Sequence, residues 1–263
     1  MSKLDFLQKM VYVKSFYRGI CKHIGIAVGV IGAFGLPLSA GVKEDAIKVL
    51  EGQTGAKFEV ISFDALKGSK QFLLVVKDTK NGYQSVIITD EKQKSMIAPM
   101  AFFGDKEDAK FVVAQLEKAN AYNFKLQNAA TLDKLFASIP QDYAIRIQGA
   151  SNKITYIVSD PMCVHCQQEL SQIESKLAKG TVVMVLVSFL GQDSLQKSAE
   201  IISKIKSAKT PKEQISLLRS VYATTHKAST QKQEYTSQVS AITKKLGESN
   251  LIEAVPFIYE PIK

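Results

Sequence analysis

With 263 residues, 46% of them hydrophobic and 22% charged, and with no low-complexity tract, the chain is neither disordered nor fibrous. It is long enough for one large or two modest cores. The formal net charge is +9, but segment 1–40 carries five basic residues and one acidic residue, which leaves +5 for the rest. So mild an excess favours anionic partners weakly and does not call for nucleic acid.

Residues 1–40 read as a secretory signal peptide. Lys14, Arg18 and Lys22 form a basic region, Ile24–Leu38 an apolar run, and Leu38–Gly41 supplies small residues with Ala40 as the last before cleavage. The competing reading is an uncleaved anchor. Its apolar run of 17 residues, Ile24–Ala40, holds four glycines and a proline and falls short of a span of about 20. Cys21 precedes the run, the wrong place for a lipoprotein cysteine. Export would put Cys163 and Cys166 where disulfides persist.

Next, Lys43–Gly55 has Ala46, Ile47 and Leu50 on one helical face and a glycine stop. The stretch AKFEVISF alternates through Phe58 and Val60, then switches side at Ile61 and Phe63, which predicts a bulge after Val60 or a strand end covered on both faces. QFLLVVKD and YQSVIITD, joined through Asn81-Gly82, predict a hairpin, and KSMIAPMAFFG a further short strand with Phe102-Phe103 in the sheet core. Residues 41–104 thus form a small α+β domain. Residues 105–140 are helical in pattern, read as a linker closed by Pro140.

From residue 141 the pattern changes. DYAIRIQG and KITYIVSD are strands around a turn, and CVHCQQELSQIESKLAKG is an amphipathic helix ending at Gly180. The unbroken apolar run Thr181–Leu190 fits a strand buried on both faces of a parallel sheet. About 192–247 is helical, with Thr210-Pro211-Lys212-Glu213 as a start signal; Lys204, Lys206 and Lys209 read as a solvated helix face and His226 as a solvated helix end. LIEAVPFIYE closes as a strand interrupted at Pro256.

The chemistry lies in SDPMCVHCQQEL, Ser159–Leu170. Cys163 follows a strand and opens a helix, so unpaired N–H groups and the helix dipole there favour thiolate over thiol. Cys166, one turn on, can resolve a mixed disulfide, and His165 adds a donor or positive charge that favours the Cys163 thiolate further. A stabilised thiolate means a more oxidising disulfide. A purely structural bridge between positions so close would gain little chain entropy. A zinc site needs four ligands, and beyond residue 40 there are only Cys163, Cys166, His165 and a distant His226. Covalent haem attachment needs a His where Gln167 stands. A Cys163–His165 protease dyad fails because positions two apart diverge around a helix and Cys166 would trap the nucleophile as a disulfide.

SDPMCVHC resembles the active-site entry of the thioredoxin fold, and more narrowly that of the periplasmic DsbC/DsbG group; Asp160, Pro161, Cys163 and Cys166 match the group's pattern. The resemblance implies an α/β thioredoxin fold with a helical insertion over 141–263, preceded by a small α+β, cystatin-like dimerisation domain and the helical linker. It implies a homodimer with a cleft facing the active sites, reduced or unfolded secreted proteins as clients, a membrane redox partner, and no cofactor beyond the Cys163–Cys166 disulfide. Val255-Pro256 matches the family's cis-proline, which faces the two cysteines and pairs with client backbone. Two positions depart from the group: Val255 and His165 stand where it carries Thr and Tyr, and both are DsbA features. Seven residues follow Pro256, so the family's final strand and C-terminal helix are expected to be missing or replaced. The expected activity is thiol:disulfide exchange, with dithiol oxidation favoured over isomerisation. The alternatives are an isomerase or reductase kept reduced, and a dimeric holdase that binds unfolded chains in its cleft.

Overall fold

Two faces of one antiparallel sheet explain the apolar middle strands of the N-terminal part. The computed structural model describes residues 38–261, of which those from Val42 onward belong to one compact unit. The expected signal segment lies outside the described residues except for its last three, whose backbone begins helix α1, Leu38–Thr54. Strands β1 (Phe58–Ala65), β2 (Gln71–Asp78), β3 (Gln84–Asp90) and β4 (Met96–Ile97) pair in that order, all antiparallel. Leu73–Val76 and Val86–Thr89 are buried without alternation. Leu74, Val76 and Ile87 pack with Ala46 and Leu50 of α1. Leu73, Val75, Val86 and Ile88 pack with Val112 and Ala119 of helix α2, Lys106–Gln127. The bulge comes after Val60: register jumps between Val60 and Ser62, and Ile61 is turned out, 48% exposed. That slip re-phases the strand, so Phe58, Val60 and Phe63 all reach the α1 side. Phe102 packs on the α2 side, but Phe103 is 89% exposed, which corrects its assignment to the sheet core.

The linker is two helices, α2 and α3 (Ala129–Ala137), because Asn128 breaks the run by turning its side-chain amide back to the Phe124 carbonyl, 2.8 Å. At the start of α2 the buried Asp108 accepts from the N–H groups of Lys67 and Gly68, at 2.8 and 2.7 Å, and ties the helix to the β1–β2 turn.

The second sheet has the order β5-β7-β6-β8, with β5 Ile145–Ile147, β6 Ile154–Ser159, β7 Thr181–Leu186 and β8 Phe257–Tyr259. β6 and β7 are parallel, joined through α4 (Val164–Ser171) and α5 (Ile173–Leu177), so the helix expected over 163–180 is broken at Gln172. β7 is buried along its whole length between two strands, as its unbroken apolar sequence requires, although it stops at Leu186 and not at Leu190. β5 pairs antiparallel with β7, not with β6. The connecting turn passes so close to Gly180 that a Cβ on Gly149 would stand 1.9 Å from the Gly180 carbonyl oxygen. A strand does follow Pro256, for β8 pairs antiparallel with β6. Helix α3 packs against it: Tyr259 donates to Asp133 Oδ1 at 2.7 Å, and Phe136 stacks on Tyr156 and Tyr259.

Between β7 and β8 lie α6 (Gln192–Ile205), α7 (Pro211–Tyr222) and α8 (Gln233–Glu248). Thr210 and Glu213 form the capping box their spacing predicts, with Pro211 opening α7. His226 is not a solvated end: its Nε2 lies 3.0 Å from Glu200 Oε2, and Lys204 closes on the other oxygen of the same carboxylate at 2.6 Å. No helix among the described residues is long and apolar enough to cross a membrane.

Because both faces of the first sheet are covered, Leu73→Ala and Leu74→Ala should each destabilise the protein by about 2–5 kcal/mol in urea denaturation. A loss confined to one of the two would mean that one face is open.

Candidate active site

The site is built where β6 runs out. Ser159 is the last residue of β6, and the chain then turns through Asp160-Pro161-Met162. The turn is closed by the Cys163 N–H on the Asp160 carbonyl at 3.1 Å and by the Met162 N–H on Asp160 Oδ1 at 2.9 Å. Cys163 then caps α4 in an extended conformation. The first bond inside the helix runs from the Gln167 N–H to the Cys163 carbonyl, 3.0 Å, so the N–H groups of Val164, His165 and Cys166 have no intrahelical acceptor. Three residues make nearly one turn, and both sulfurs share a face. Cys163 sits at the rim, 9% exposed; Cys166 lies a turn deeper, 1% exposed. Both are free thiols.

Across from Cys163 is the loop before β8. The Cys163 thiol donates to the Val255 carbonyl at 3.4 Å, and the Val255–Pro256 peptide bond is cis. The structure therefore brings Cys163, Cys166, Val255 and Pro256 to one place. His165 stands on the exposed side of the first turn with Nδ1 3.3 Å from Gln168 Oε1. A groove of about 500 Å³ opens beside Cys163, lined by Phe189, Leu190, Ile252, Ala254 and Val255. Exposed Met162, Val164 and Leu190 add apolar surface around the sulfur.

Asp160, marked in the sequence only as part of the family pattern, and Ser159 and Tyr222, which the sequence did not mark, complete the site. The Asp160 carboxyl is wholly buried and fully engaged: besides Met162 it accepts from the Leu190 N–H at 3.0 Å and from the Ser194 hydroxyl. It thereby fixes the groove loop to the cysteine turn. The Asp160 N–H donates to Cys166 Sγ at 3.4 Å. Burial pushes the Cys166 thiol up to about 12, against the Asp160 N–H and the Ser159 hydroxyl, which favour its thiolate. Behind Ser159, the buried Tyr222 donates its phenol proton to Ser159 Oγ at 2.7 Å. A strand-end Ser and a Tyr 63 residues further on carry no local signal of this kind; only the fold assembles them.

A rim thiol at a helix mouth, with a second thiol buried one turn below and a cis-proline loop opposite, is suited to disulfide exchange and defines a thioredoxin-fold thiol:disulfide oxidoreductase. The comparisons with known proteins narrow that class. Residues 46–132 match the family described as disulfide isomerase DsbG N-terminal. The solved structure of Helicobacter pylori DsbG shares 33% identity, with 82% of this chain and 99% of that one covered and a TM-score of 0.50. The chain belongs to the DsbC/DsbG-like family of disulfide interchange proteins. More distant are a periplasmic thioredoxin-like protein from Salmonella enterica serovar Typhimurium (12% identity, 49% of this chain and 84% of that one, TM-score 0.40) and the thiol-disulfide exchange protein α-DsbA2 from Wolbachia pipientis (15%, 54% and 86%, TM-score 0.38). No curated protein matches the sequence.

The buried thiol makes stability depend on pH with a definite sign. In the unfolded chain a cysteine ionises near 8.5, whereas folded Cys166 holds its proton until about 12. Its contribution is thus complete below about pH 8.5 and is lost progressively as pH rises toward 12. The reduced protein should lose denaturant resistance between about pH 8.5 and about pH 10.5, and reduced Cys166→Ala should lose less. Equal losses in the two proteins would show that Cys166 does not carry the effect.

Proposed function

We propose that the protein is an exported dithiol oxidase that introduces disulfides into secreted proteins, with Cys163 as the exchanging sulfur and Cys166 as its resolving partner. The observation that carries this reading is the position of Cys163: at the open mouth of α4, facing the Val255 carbonyl, next to an apolar groove. Unpaired N–H groups and the helix dipole favour negative charge there, so the reduced pair is stabilised and the disulfide becomes a stronger oxidant. His165, on the same first turn, adds a donor or a positive charge at that end of the helix. Val255 and His165 are DsbA features set in a DsbC/DsbG frame, which favours net oxidation over isomerisation, because an isomerase needs a resting Cys163 thiolate.

The client is an unfolded or reduced chain. Its apolar residues rest on Met162, Val164 and Leu190, and its backbone lies along Val255-Pro256, as the family resemblance implies. The N-terminal part is assigned a homodimerisation role on the same ground. Its edge strands β1 and β4, with exposed Ile61 on the first and exposed Ile97, Met100 and Phe103 on or just after the second, leave surface for a second copy. The protein works in the periplasm, and a membrane partner reoxidises the pair. No cofactor beyond the Cys163–Cys166 disulfide takes part.

Equilibration with a glutathione redox buffer tests this reading. The pair should have a potential nearer that of DsbA, about −120 mV, than that of thioredoxin, about −270 mV. A value close to thioredoxin's would favour a reductase or isomerase. The same exposed apolar residues also fit a holdase, and that reading would prevail if Cys163→Ser/Cys166→Ser suppressed client aggregation fully while the parent protein formed no client disulfides.

A further inference from the structure

The loop that leaves β7 is held at its base by the helical insertion and at its tip by the cysteine turn. At the base, the Val187 carbonyl accepts from the Ser198 and Ser194 hydroxyls of α6, at 3.0 and 3.3 Å, and the Ser188 N–H donates to Thr243 Oγ1 of α8 at 3.0 Å. Past the tip, Gly191 turns the chain into α6 at a φ of 97°, a left-handed conformation that suits glycine alone. Between these points stand Phe189 and Leu190, which line the groove beside Cys163. Leu190 is 55% exposed, yet its N–H donates at 3.0 Å to Oδ2 of Asp160, a residue with no exposure. An exposed leucine on a backbone tied to a buried carboxyl calls for an explanation.

We infer that Asp160 is a positioning residue for client selection: by fixing Leu190 to the cysteine turn, it makes the protein prefer chains that carry a large apolar residue beside the exchanging cysteine. The inference rests on the reading of Cys163 and Cys166 as a redox pair and adds which clients that pair takes. A leucine on a loose loop would have to be ordered by each client, and that entropy cost would weaken the contact. The bond to Asp160 orders the loop tip during folding instead. Asp160 suits the task because its other groups hold the cysteine turn. Its Oδ1 accepts from the Met162 N–H at 2.9 Å and from the Ser194 hydroxyl, and its carbonyl accepts from the Cys163 N–H at 3.1 Å. One residue therefore sets the spacing between the Leu190 wall and Cys163. A side chain next to a client cysteine bound at Cys163 meets that wall, with Phe189, Ile252 and Ala254 lining the same groove.

The contact acts at the step that selects the client. A client thiolate attacks Cys163 Sγ of the disulfide; the bond to Cys166 breaks, and its electron pair goes to Cys166 Sγ. A second client thiolate then displaces Cys163 from the mixed disulfide. The client is oxidised by two electrons and the Cys163–Cys166 pair reduced by two, while the two thiol protons of the client end on Cys163 and Cys166. Burial of the neighbouring apolar side chain accompanies the first attack, so it lowers the barrier from free protein and free client and appears in the second-order rate constant. Asp160 touches neither the client nor the exchanging Cys163 sulfur through its carboxyl; it acts through Leu190.

Single-turnover oxidation of two dithiol peptides by the oxidised full chain reads the preference; the peptides differ only in Leu or Ala beside the first cysteine. The parent should oxidise the Leu peptide with a second-order rate constant roughly tenfold the larger, the size expected for one partly buried leucine side chain against alanine. Leu190→Ala and Asp160→Ala should each cut that ratio to about threefold or less, and the double variant should show no further fall, because both changes remove the same wall. The ratio compares two clients of one protein, so a general loss of activity does not move it. Hydrogen exchange checks the link itself: the Leu190 N–H should be protected in the parent and exchange much faster in Asp160→Ala. Should Asp160→Ala not fold, exchange at Leu190 in the parent and the ratio in Leu190→Ala, a change at an exposed side chain, still decide. The inference is overturned if the parent shows no preference, if either single variant keeps the parental ratio, or if the parent's Leu190 N–H exchanges like an open loop. Oxidation of neither peptide by the parent would instead remove the redox-pair reading itself.

Discussion

One helical turn separates two identical side chains and gives them different chemistry. Cys163 stands at the open end of α4, where three N–H groups have no acceptor within the helix, and Cys166 stands at the next turn down, closed in by the core. Exchange through such a pair depends on that difference. The rim sulfur must be reachable by a client and able to bear charge, whereas the buried one must be shielded from clients and close enough to finish the reaction. The parallel pair β6–β7 sets this geometry, because the turn that leaves β6 delivers Cys163 to the C-terminal end of that strand and packs the inward face of α4 against the core.

Everything around the turn serves to hold that difference in place. Asp160 is the junction: its carbonyl and carboxyl close the cysteine turn, its N–H meets Cys166, and its second carboxyl oxygen holds the Leu190 loop that walls the groove. A carboxyl with no exposure is tolerable because each of its oxygens accepts from protein donors. From the far side, α7 caps α4 through Arg219 and sends Tyr222 behind Ser159. The insertion is thus part of the site's foundation as well as a cover for the sheet.

Much of this was legible in the amino-acid sequence because the signals are local. Cys-Val-His-Cys after a strand pattern, the bulge marked by the change of side at Ile61, the Asn81-Gly82 hairpin and the Thr210–Glu213 capping box are each decided within a few residues. Pairing across distance was not legible. Residues 142–160 read as two strands around a turn, yet β7 comes between the two strands, since its apolar sequence demands a partner on each side. The break at Asn128 depends on one side chain's competition with the helix, and the exposure of Phe103 on where a two-residue strand ends. Ser159 and Tyr222 look ordinary in sequence, and Asp160 is marked there only by its place in the family pattern; their importance comes from burial behind the cysteine turn, which only the tertiary fold confers.

The central claim is that exchange begins at Cys163 and ends at Cys166. Trapping in the exporting cell tests it most directly: Cys166→Ala and Cys163→Ala variants are expressed separately, and covalent adducts are resolved on non-reducing gels and mapped by mass spectrometry. The account predicts client proteins linked through Cys163 in the Cys166→Ala variant and none in the Cys163→Ala variant. Adducts formed equally through Cys166, or none in either variant, would contradict it.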